Sequence, residues 1–198
     1  MSQQCLPGTN IQMDLQGGQD YRRTFDAVFA ITGGIYLSQL SEMVGVPGAT
    51  LQNWVKRGFV TNPVNKRYTR RQTCRIILIA LLRHSLQIEE IILLLRSINN
   101  NLADEQDDLI DDSDLYLYFC DVMFSQPSLD YLSGDLLRSR IAGATEQFPV
   151  LNPACRPEDL ARLRQVLEVI ALSYQAWQVR EQALTTLQNI IERSTKHD

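Results

Sequence analysis

The chain has 198 residues, of which 44% are hydrophobic and 21% are charged, and its net charge is −4. These values are typical of a globular protein and exclude a highly charged disordered chain. The longest apolar run, residues 76–82, is far too short to span a membrane. The four widely spaced cysteines and the two histidines do not have the spacing of a zinc site. We therefore expect no metal, no cofactor and no membrane partner.

The first segment, residues 1–19, is polar and rich in Gln and Gly, and it lacks the apolar stretch of a signal peptide. We predict that it is a flexible arm and that the protein is cytoplasmic, where lone cysteines stay reduced. Residues 21–31 place Phe25, Val28 and Phe29 on one side of a short predicted helix. This helix opens a predicted domain that covers residues 20–101.

Residues 36–60 have the pattern of two short helices joined by a tight turn. Gly45 suits the end of the first helix, because a left-handed backbone costs least at glycine. Pro47 suits the first turn of the second helix, where its missing N–H is not needed. The apolar positions at helical spacing are Leu37, Leu40 and Val44 in the first helix and Leu51, Trp54 and Val55 in the second. We therefore expect Trp54 to be a core residue.

A predicted hairpin and two further helices complete this domain. Residues 61–68 contain turn formers followed by two basic residues, which favours a small hairpin or wing. Thr69 and Gln72 form a capping box that opens a helix reaching about residue 84, and residues 87–98 form the next helix. We expect Tyr68 to fill the core beneath the wing, although a contact with backbone phosphate is the alternative.

The charge of the chain is unevenly distributed. Between Val44 and Ile88 there is no Asp or Glu, and the basic residues are Lys56, Arg57, Lys66, Arg67, Arg70, Arg71, Arg75 and Arg83. A basic block inside an acidic protein favours a polyanionic partner. An acidic run follows at residues 104–114. We expect it to be a solvated linker, or else to cover the basic surface when no partner is bound.

The second predicted region, residues 102–198, is helical. Its elements are predicted at residues 116–124 and 131–141, followed by a helix of about 35 residues over 156–194. We expect the apolar side of that helix to pair with a second copy in a homodimer, at least over its C-terminal half. The alternative is that it folds back over the aromatic segment 116–131. Those aromatic side chains form a protein core or, alternatively, a pocket for an unidentified small-molecule effector.

Residues 36–98 resemble the MerR-like winged helix-turn-helix in the segments YLSQLSEMVGVPGATLQNWVKRGFV, KRYTRRQ and LLRHSLQIEEIILLL. They are more closely similar to the DUF1836 family of bacterial proteins. That family joins such a helix pair to a K-K-Y-x-R-type wing and an L-x-I-x-x-I helix, which correspond here to residues 66–70 and 86–91. The resemblance implies a mainly all-α protein, with a winged helix-turn-helix followed by a helical region that ends in a long helix.

Two features depart from typical MerR regulators. Gln52, Asn53 and Trp54 stand where the recognition helix of those regulators carries an arginine–tyrosine pair. No effector cysteine motif follows the long helix, so the resemblance does not imply metal sensing.

The sequence thus predicts a transcriptional regulator that binds double-stranded DNA, and no enzyme, because no nucleophile–base pair can be assembled from the spacing. Amides on the recognition helix suit base edges, and basic residues on the wing suit phosphates. The predicted DNA-binding residues are Thr50, Gln52, Asn53, Lys56, Arg57, Asn65, Lys66, Arg67, Arg70 and Arg71. The alternative is a protein-interaction adaptor whose winged helix does not bind DNA. Cys74 is either a redox-sensitive thiol beside arginines or, as we expect, a buried core residue.

Overall fold

The computed structural model describes residues 4–13, 21–99, 108–124 and 134–195, and this part of the chain is mainly helical. The prediction of a mainly α protein with a long C-terminal helix is therefore confirmed. Two short antiparallel strand pairs accompany the helices. The two predicted segments, 20–101 and 102–198, contribute side chains to a single hydrophobic core.

The N-terminal residues 4–13 form a hairpin, whereas the sequence predicted a flexible arm over 1–19. Strand β1 (Gln4–Cys5) pairs antiparallel with β2 (Gln12–Met13). Leu6 is fully buried, and the hydroxyl of Tyr116 donates to the carbonyl oxygen of Pro7 at 2.8 Å. The burial of Leu6 and the hydrogen bond from Tyr116 therefore hold the hairpin against the core. The rest of the predicted arm lies outside the described residues.

Three helices follow, α1 (Tyr21–Thr32), α2 (Leu37–Val44) and α3 (Gly48–Lys56). The backbone of Gly45 is left-handed, with φ of 65°, and it ends α2 as the sequence predicted. Leu40 and Leu51 are fully buried where α2 packs against α3. The two helices are therefore joined by the tight turn that their apolar spacing indicated.

The predicted hairpin over 61–68 is present as a turn. The strand at the end of this segment pairs with a strand that precedes α2. Strand β3 (Ile35–Tyr36) lies antiparallel to β4 (Arg67–Tyr68). Val64 bridges Arg67 across a tip formed by Asn65 and Lys66, whose φ angles are 50° and 62°. Two consecutive residues of positive φ are the geometry of a tight hairpin turn of the I′ class.

Helix α4 (Arg70–Leu82) is central to the fold, since every residue from Gln72 to Leu82 is buried. Its start is fixed by the predicted capping box, in which the Thr69 hydroxyl accepts from the Gln72 N–H at 3.3 Å. Helices α5 (Ile88–Arg96) and α6 (Asp112–Phe124) come next, and α6 packs along α4. A helix that is buried all round needs such neighbours on several sides.

Helices α7 (Gly134–Ala144) and α8 (Phe148–Leu151) lead to α9 (Pro157–Ser194), which has 38 residues. The first half of α9 packs on α4, α6 and α7, and it includes the buried residues Leu163, Leu167 and Ile170. Tyr174 meets Phe119 of α6 edge to face at 5.6 Å, so this half covers the aromatic segment. The second half, from residue 179 onward, is exposed throughout its described length.

Candidate nucleic-acid interface

Helix α3 separates its apolar and polar side chains onto opposite sides. Leu51 and Trp54 are buried on the inner side of the helix, which confirms the prediction that Trp54 is a core residue. Gln52, Asn53 and Lys56 are exposed on the outer side. Thr50, the remaining predicted contact on α3, is half-buried. The outer surface of α3 thus presents two amides and one ammonium group to solvent.

The turn after α3 adds a second set of polar and basic groups. Asn65 and Lys66 are exposed at its tip. Arg67 follows on β4, and its guanidinium carbon lies 4.2 Å from the centroid of the Tyr36 ring on β3. Val64, on the opposite side of the tip, is 61% exposed. Basic and apolar groups therefore share this turn.

A groove of about 670 Å³ lies where α2, α3 and this turn meet. Its lining residues are Tyr36, Leu37, Ser38, Gln52, Val55, Pro63, Lys66 and Tyr68. Most of these side chains are apolar or aromatic, whereas Ser38, Gln52 and Lys66 are polar. The groove brings together side chains from three predicted elements that lie up to 32 residues apart in the sequence.

Two of the predicted DNA contacts are partly exposed arginines that are paired with carboxylates. Arg57 lies 3.3 Å from Glu89 of α5, and its guanidinium carbon lies 4.5 Å from the centroid of the Phe59 ring. Arg70 lies 2.9 Å from Asp26 of α1. Such exposed pairs stabilise a fold by only about 0–1 kcal/mol, so a phosphate can replace the carboxylate at little cost.

Arg71 has a different environment from the other predicted contacts, because its side chain is only 17% exposed. It forms an ion pair with Asp108, and its Nε lies 3.5 Å from Asp111 and 3.6 Å from Asp112. Arg71 therefore faces the acidic segment rather than open solvent. Its assignment to DNA binding is a prediction that requires these ion pairs to open.

Arg75 is buried and has a structural role. Its Nη1 lies 3.1 Å from both carboxylate oxygens of Asp112, and its Nε donates to the Phe59 carbonyl oxygen at 2.7 Å. Burial raises the pKa of Asp112, and the neighbouring Arg75 charge opposes that shift. The positive charge of Arg75 thus serves to neutralise a buried carboxylate.

The acidic segment also differs from the solvated linker that the sequence predicted. The described acidic residues of this segment are Asp108, Asp111, Asp112 and Asp114. Asp108 and Asp111 pair with Arg71, and Asp112 pairs with Arg75, in the N-terminal half of α4. Attraction between the acidic run and the basic block accounts for this packing. The members at positions 104–107 lie outside the described residues.

The remaining sequence hypotheses concern side chains that the structure buries. Cys74 is fully buried, and burial raises the pKa of its thiol well above the ordinary value, which opposes a redox-sensing thiolate. Tyr68 is 3% exposed, in agreement with the expected core position. Tyr116 and Phe119 are likewise core residues, whereas Tyr131 lies outside the described residues.

The described part of the chain has neither a metal-site geometry nor a membrane-spanning helix. It contains no group of three or more His, Cys, Asp or Glu side chains placed to hold a metal ion. Among the same residues, no helix combines the length and the apolar character that crossing a bilayer requires.

Three comparisons with known proteins bear on this geometry. Residues 35–119 match the model of a family described as a domain of unknown function, DUF1836. The matching segment begins at β3 and ends within α6, so it contains α3, the turn and the groove between them. It supports the resemblance to that family which the sequence pattern indicated. No curated protein and no solved structure matches the chain.

Proposed function

We propose that this chain is a transcriptional regulator that binds double-stranded DNA through a winged helix-turn-helix of the MerR-like type. In this proposal α3 is the recognition helix and residues 64–67 are the tip of the wing. The observation that carries it is the composition of the exposed outer side of α3. Gln52, Asn53 and Lys56 lie there beside a basic turn, within a 45-residue stretch that contains no carboxylate.

The chemistry of these groups suits the two parts of a DNA interface. Glutamine and asparagine amides pair with adenine edges in the major groove, and an α-helix fits that groove. Lys56 and Lys66 make no ion pair within the described residues, so their charges are available to phosphates or to guanine. Gln52 and Asn53 therefore act in sequence preference, and Lys66 acts in general affinity.

The structure narrows the set of residues on which the proposal depends. The exposed residues Gln52, Asn53, Lys56, Asn65 and Lys66 bind without rearrangement. Arg57 and Arg70 exchange a carboxylate for a phosphate, while Arg71 contributes only after it separates from Asp108. Binding thus rests first on α3 and on the tip of the turn.

Homodimer formation belongs to the same proposal. Leu184, Leu187 and Ile191 recur at helical spacing on the second half of α9, and they are between 41% and 53% exposed. An exposed apolar stripe of this kind is typical of a protein–protein contact. A two-fold dimer would place two recognition helices on successive major grooves of a palindromic site, about 34 Å apart.

A protein-interaction adaptor is the second candidate, and the groove favours it. Its apolar lining, together with the 61% exposure of Val64 and the 43% exposure of Tyr36, would suit an apolar peptide segment. Such a partner would not require the amides and the lysine on the outer side of α3. The two candidates therefore differ in whether Gln52 and Asn53 matter.

Selection of bound sites from a pool of random duplexes tests the proposal directly. The full-length protein should enrich a defined motif, and Gln52→Ala and Asn53→Ala should each change it. Gln165→Ala, which removes the same amide from an exposed position on α9, is the matched control and should leave the motif intact. No enrichment, with no duplex binding at low salt, would exclude DNA and leave the adaptor.

A further inference from the structure

The side chains of Tyr36 and Arg67 form a cation–π pair next to the groove, which Tyr36 itself lines. The two residues are direct partners in the β3–β4 register. The guanidinium carbon of Arg67 lies 4.2 Å from the ring centroid of Tyr36, and its Nη1 donates to the carbonyl oxygen of Gly34 at 3.3 Å. A cation within about 6 Å of a ring face is attracted by the ring quadrupole. The ring and the Gly34 carbonyl oxygen thus both help to orient this guanidinium.

Gly34 makes this arrangement sterically possible. Its φ is 132°, a conformation that side-chain-bearing residues rarely adopt. A Cβ at this position would lie 2.9 Å from the Tyr68 carbonyl oxygen and 3.0 Å from Cβ of Arg67. Only glycine lets β3 approach β4 so closely, and this approach brings the Tyr36 ring beneath Arg67.

Tyr36 is not among the residues that form the hydrophobic core or pack against it. Tyr36 is 43% exposed, whereas Tyr68, the neighbouring aromatic residue on β4, is 3% exposed and packs inside. One side of the exposed ring is covered by the guanidinium, and the ring also lines the groove that Gln52 and Lys66 border. The pair therefore lies at the proposed DNA interface rather than beneath it.

We infer that Tyr36 is a positioning residue, which holds Arg67 as a clamp for a backbone phosphate of the duplex. This inference rests on the proposed function. A guanidinium is planar and presents five N–H donors, and it binds phosphate oxygens in pairs. Contact with the ring holds the guanidinium in place before binding, so less side-chain entropy is lost when the phosphate arrives. Lys66, which precedes Arg67 at the tip of the turn, adds a second positive charge to the same phosphate region.

A double-mutant cycle tests this role. The affinity of the full-length protein for a mixed-sequence duplex is measured at several salt concentrations, for wild type, Tyr36→Phe, Tyr36→Leu, Arg67→Ala and the Tyr36→Leu/Arg67→Ala double variant. Tyr36→Leu should weaken binding by about three- to tenfold, the equivalent of a cation–π contact. Tyr36→Phe should bind like wild type, because the ring is retained. Tyr36→Leu should have no further effect when Arg67 is already Ala.

Two controls accompany the cycle. Arg138→Ala removes one positive charge from an exposed ion pair on α7 and should leave the affinity unchanged. Thermal unfolding of each variant shows that the fold is kept, which is expected since Tyr36 is half-exposed. Arg67→Ala should also reduce the log–log salt slope by about 0.9, the value for one phosphate contact.

The outcomes separate this role from the proposed function. Suppose that wild type binds the duplex and that Tyr36→Leu weakens binding by the same factor in the wild-type and in the Arg67→Ala background. Tyr36 then does not act through Arg67. A loss with Tyr36→Phe as large as with Tyr36→Leu would also overturn the stacking role. Absence of duplex binding by wild type would overturn the proposed function, and this inference with it.

Discussion

Arg75 and Asp112 form a buried ion pair that joins the central helix α4 to α6. The Nη1 atom of Arg75 lies 3.1 Å from each carboxylate oxygen of Asp112, and both side chains are at most 2% exposed. Asn99 donates to the same carboxylate at 3.2 Å. Because the partners are 37 residues apart, the pair fixes how the first half of the chain packs on the second.

We predict that Asp112→Leu destabilises the protein by about 3–5 kcal/mol, because the variant leaves the Arg75 charge buried without a partner. The Arg75→Met/Asp112→Leu double variant should lose less, since removal of both charges also removes the cost of burying them. Urea unfolding of both variants measures the difference. Asp135→Asn, which alters a fully exposed carboxylate, is the control. A double variant less stable than Asp112→Leu would contradict this interpretation.

A second prediction concerns Arg71 and Asp108. Since Asp108 holds Arg71 in an ion pair, the carboxylate competes with DNA phosphate for the same guanidinium. Asp108→Asn should therefore raise the affinity for duplex DNA by about fivefold, the equivalent of one moderate ion pair. Fluorescence anisotropy with a labelled duplex measures it.

The control for this experiment must remove the same charge elsewhere. Asp135→Asn does so on α7, where the partner is Arg138 and not a residue of the proposed interface. If both variants raise the affinity equally, the gain comes from net charge alone, and Asp108 has no specific role in covering Arg71.

Helical periodicity and capping chemistry predicted most of the local structure. Gly45, Pro47 and the Thr69–Gln72 capping box placed the limits of α2, α3 and α4 within a few residues, because each acts on its own backbone. The outward side of α3 followed from the same spacing. The buried position of Trp54 followed as well.

The tertiary partners of the basic residues were not predictable in this way. A segment with eight basic residues and no carboxylate indicates a local positive charge. It does not show that Arg75 is buried or that Arg71 faces Asp108. Those contacts join α4 to residues more than 30 positions away. The pairing of β3 with β4 is similarly non-local, and a two-residue strand has no alternation to reveal it.

A third prediction tests the structural role of Trp54. Its side chain is 3% exposed beneath α3, so Trp54→Ala should destabilise the protein by about 3–5 kcal/mol. Trp54→Phe keeps most of the apolar volume and should cost less. Urea unfolding of both variants, followed by circular dichroism, provides the measurement. A Trp54→Ala protein that unfolds like wild type yet loses DNA binding would make Trp54 a contact residue instead.

A fourth prediction concerns thiol reactivity. Burial raises the pKa values of Cys74 and Cys120, so neither thiol forms the reactive thiolate at moderately alkaline pH, whereas Cys5 is exposed. Iodoacetamide at about pH 8 should modify Cys5 and leave Cys74 and Cys120 unmodified, as mass spectrometry of peptides would show. All three should react in denaturant. Rapid labelling of Cys74 in the folded protein would restore the redox hypothesis.

The last prediction concerns the second half of α9. The first half packs on the core, and its aromatic contact between Tyr174 and Phe119 shows that this part folds back within one chain. Beyond Val179, no described apolar side chain of α9 is buried; Leu187 and Ile190, for example, are 52% and 57% exposed. Because water is a poor solvent for such a stripe, we expect the exposed half to contact a second copy.

Light scattering of two altered chains tests this dimer. The full-length protein should be a dimer at tens of micromolar, above ordinary dimer dissociation constants. A chain ending at Gln178, and the full-length Leu187→Glu/Ile191→Glu variant, should both be monomers that keep the melting behaviour of the core. Leu172→Glu is the matched control, since Leu172 is 45% exposed on the first half of α9. A monomeric wild type would exclude the dimer, and dimers that survive truncation would place the contact on another surface.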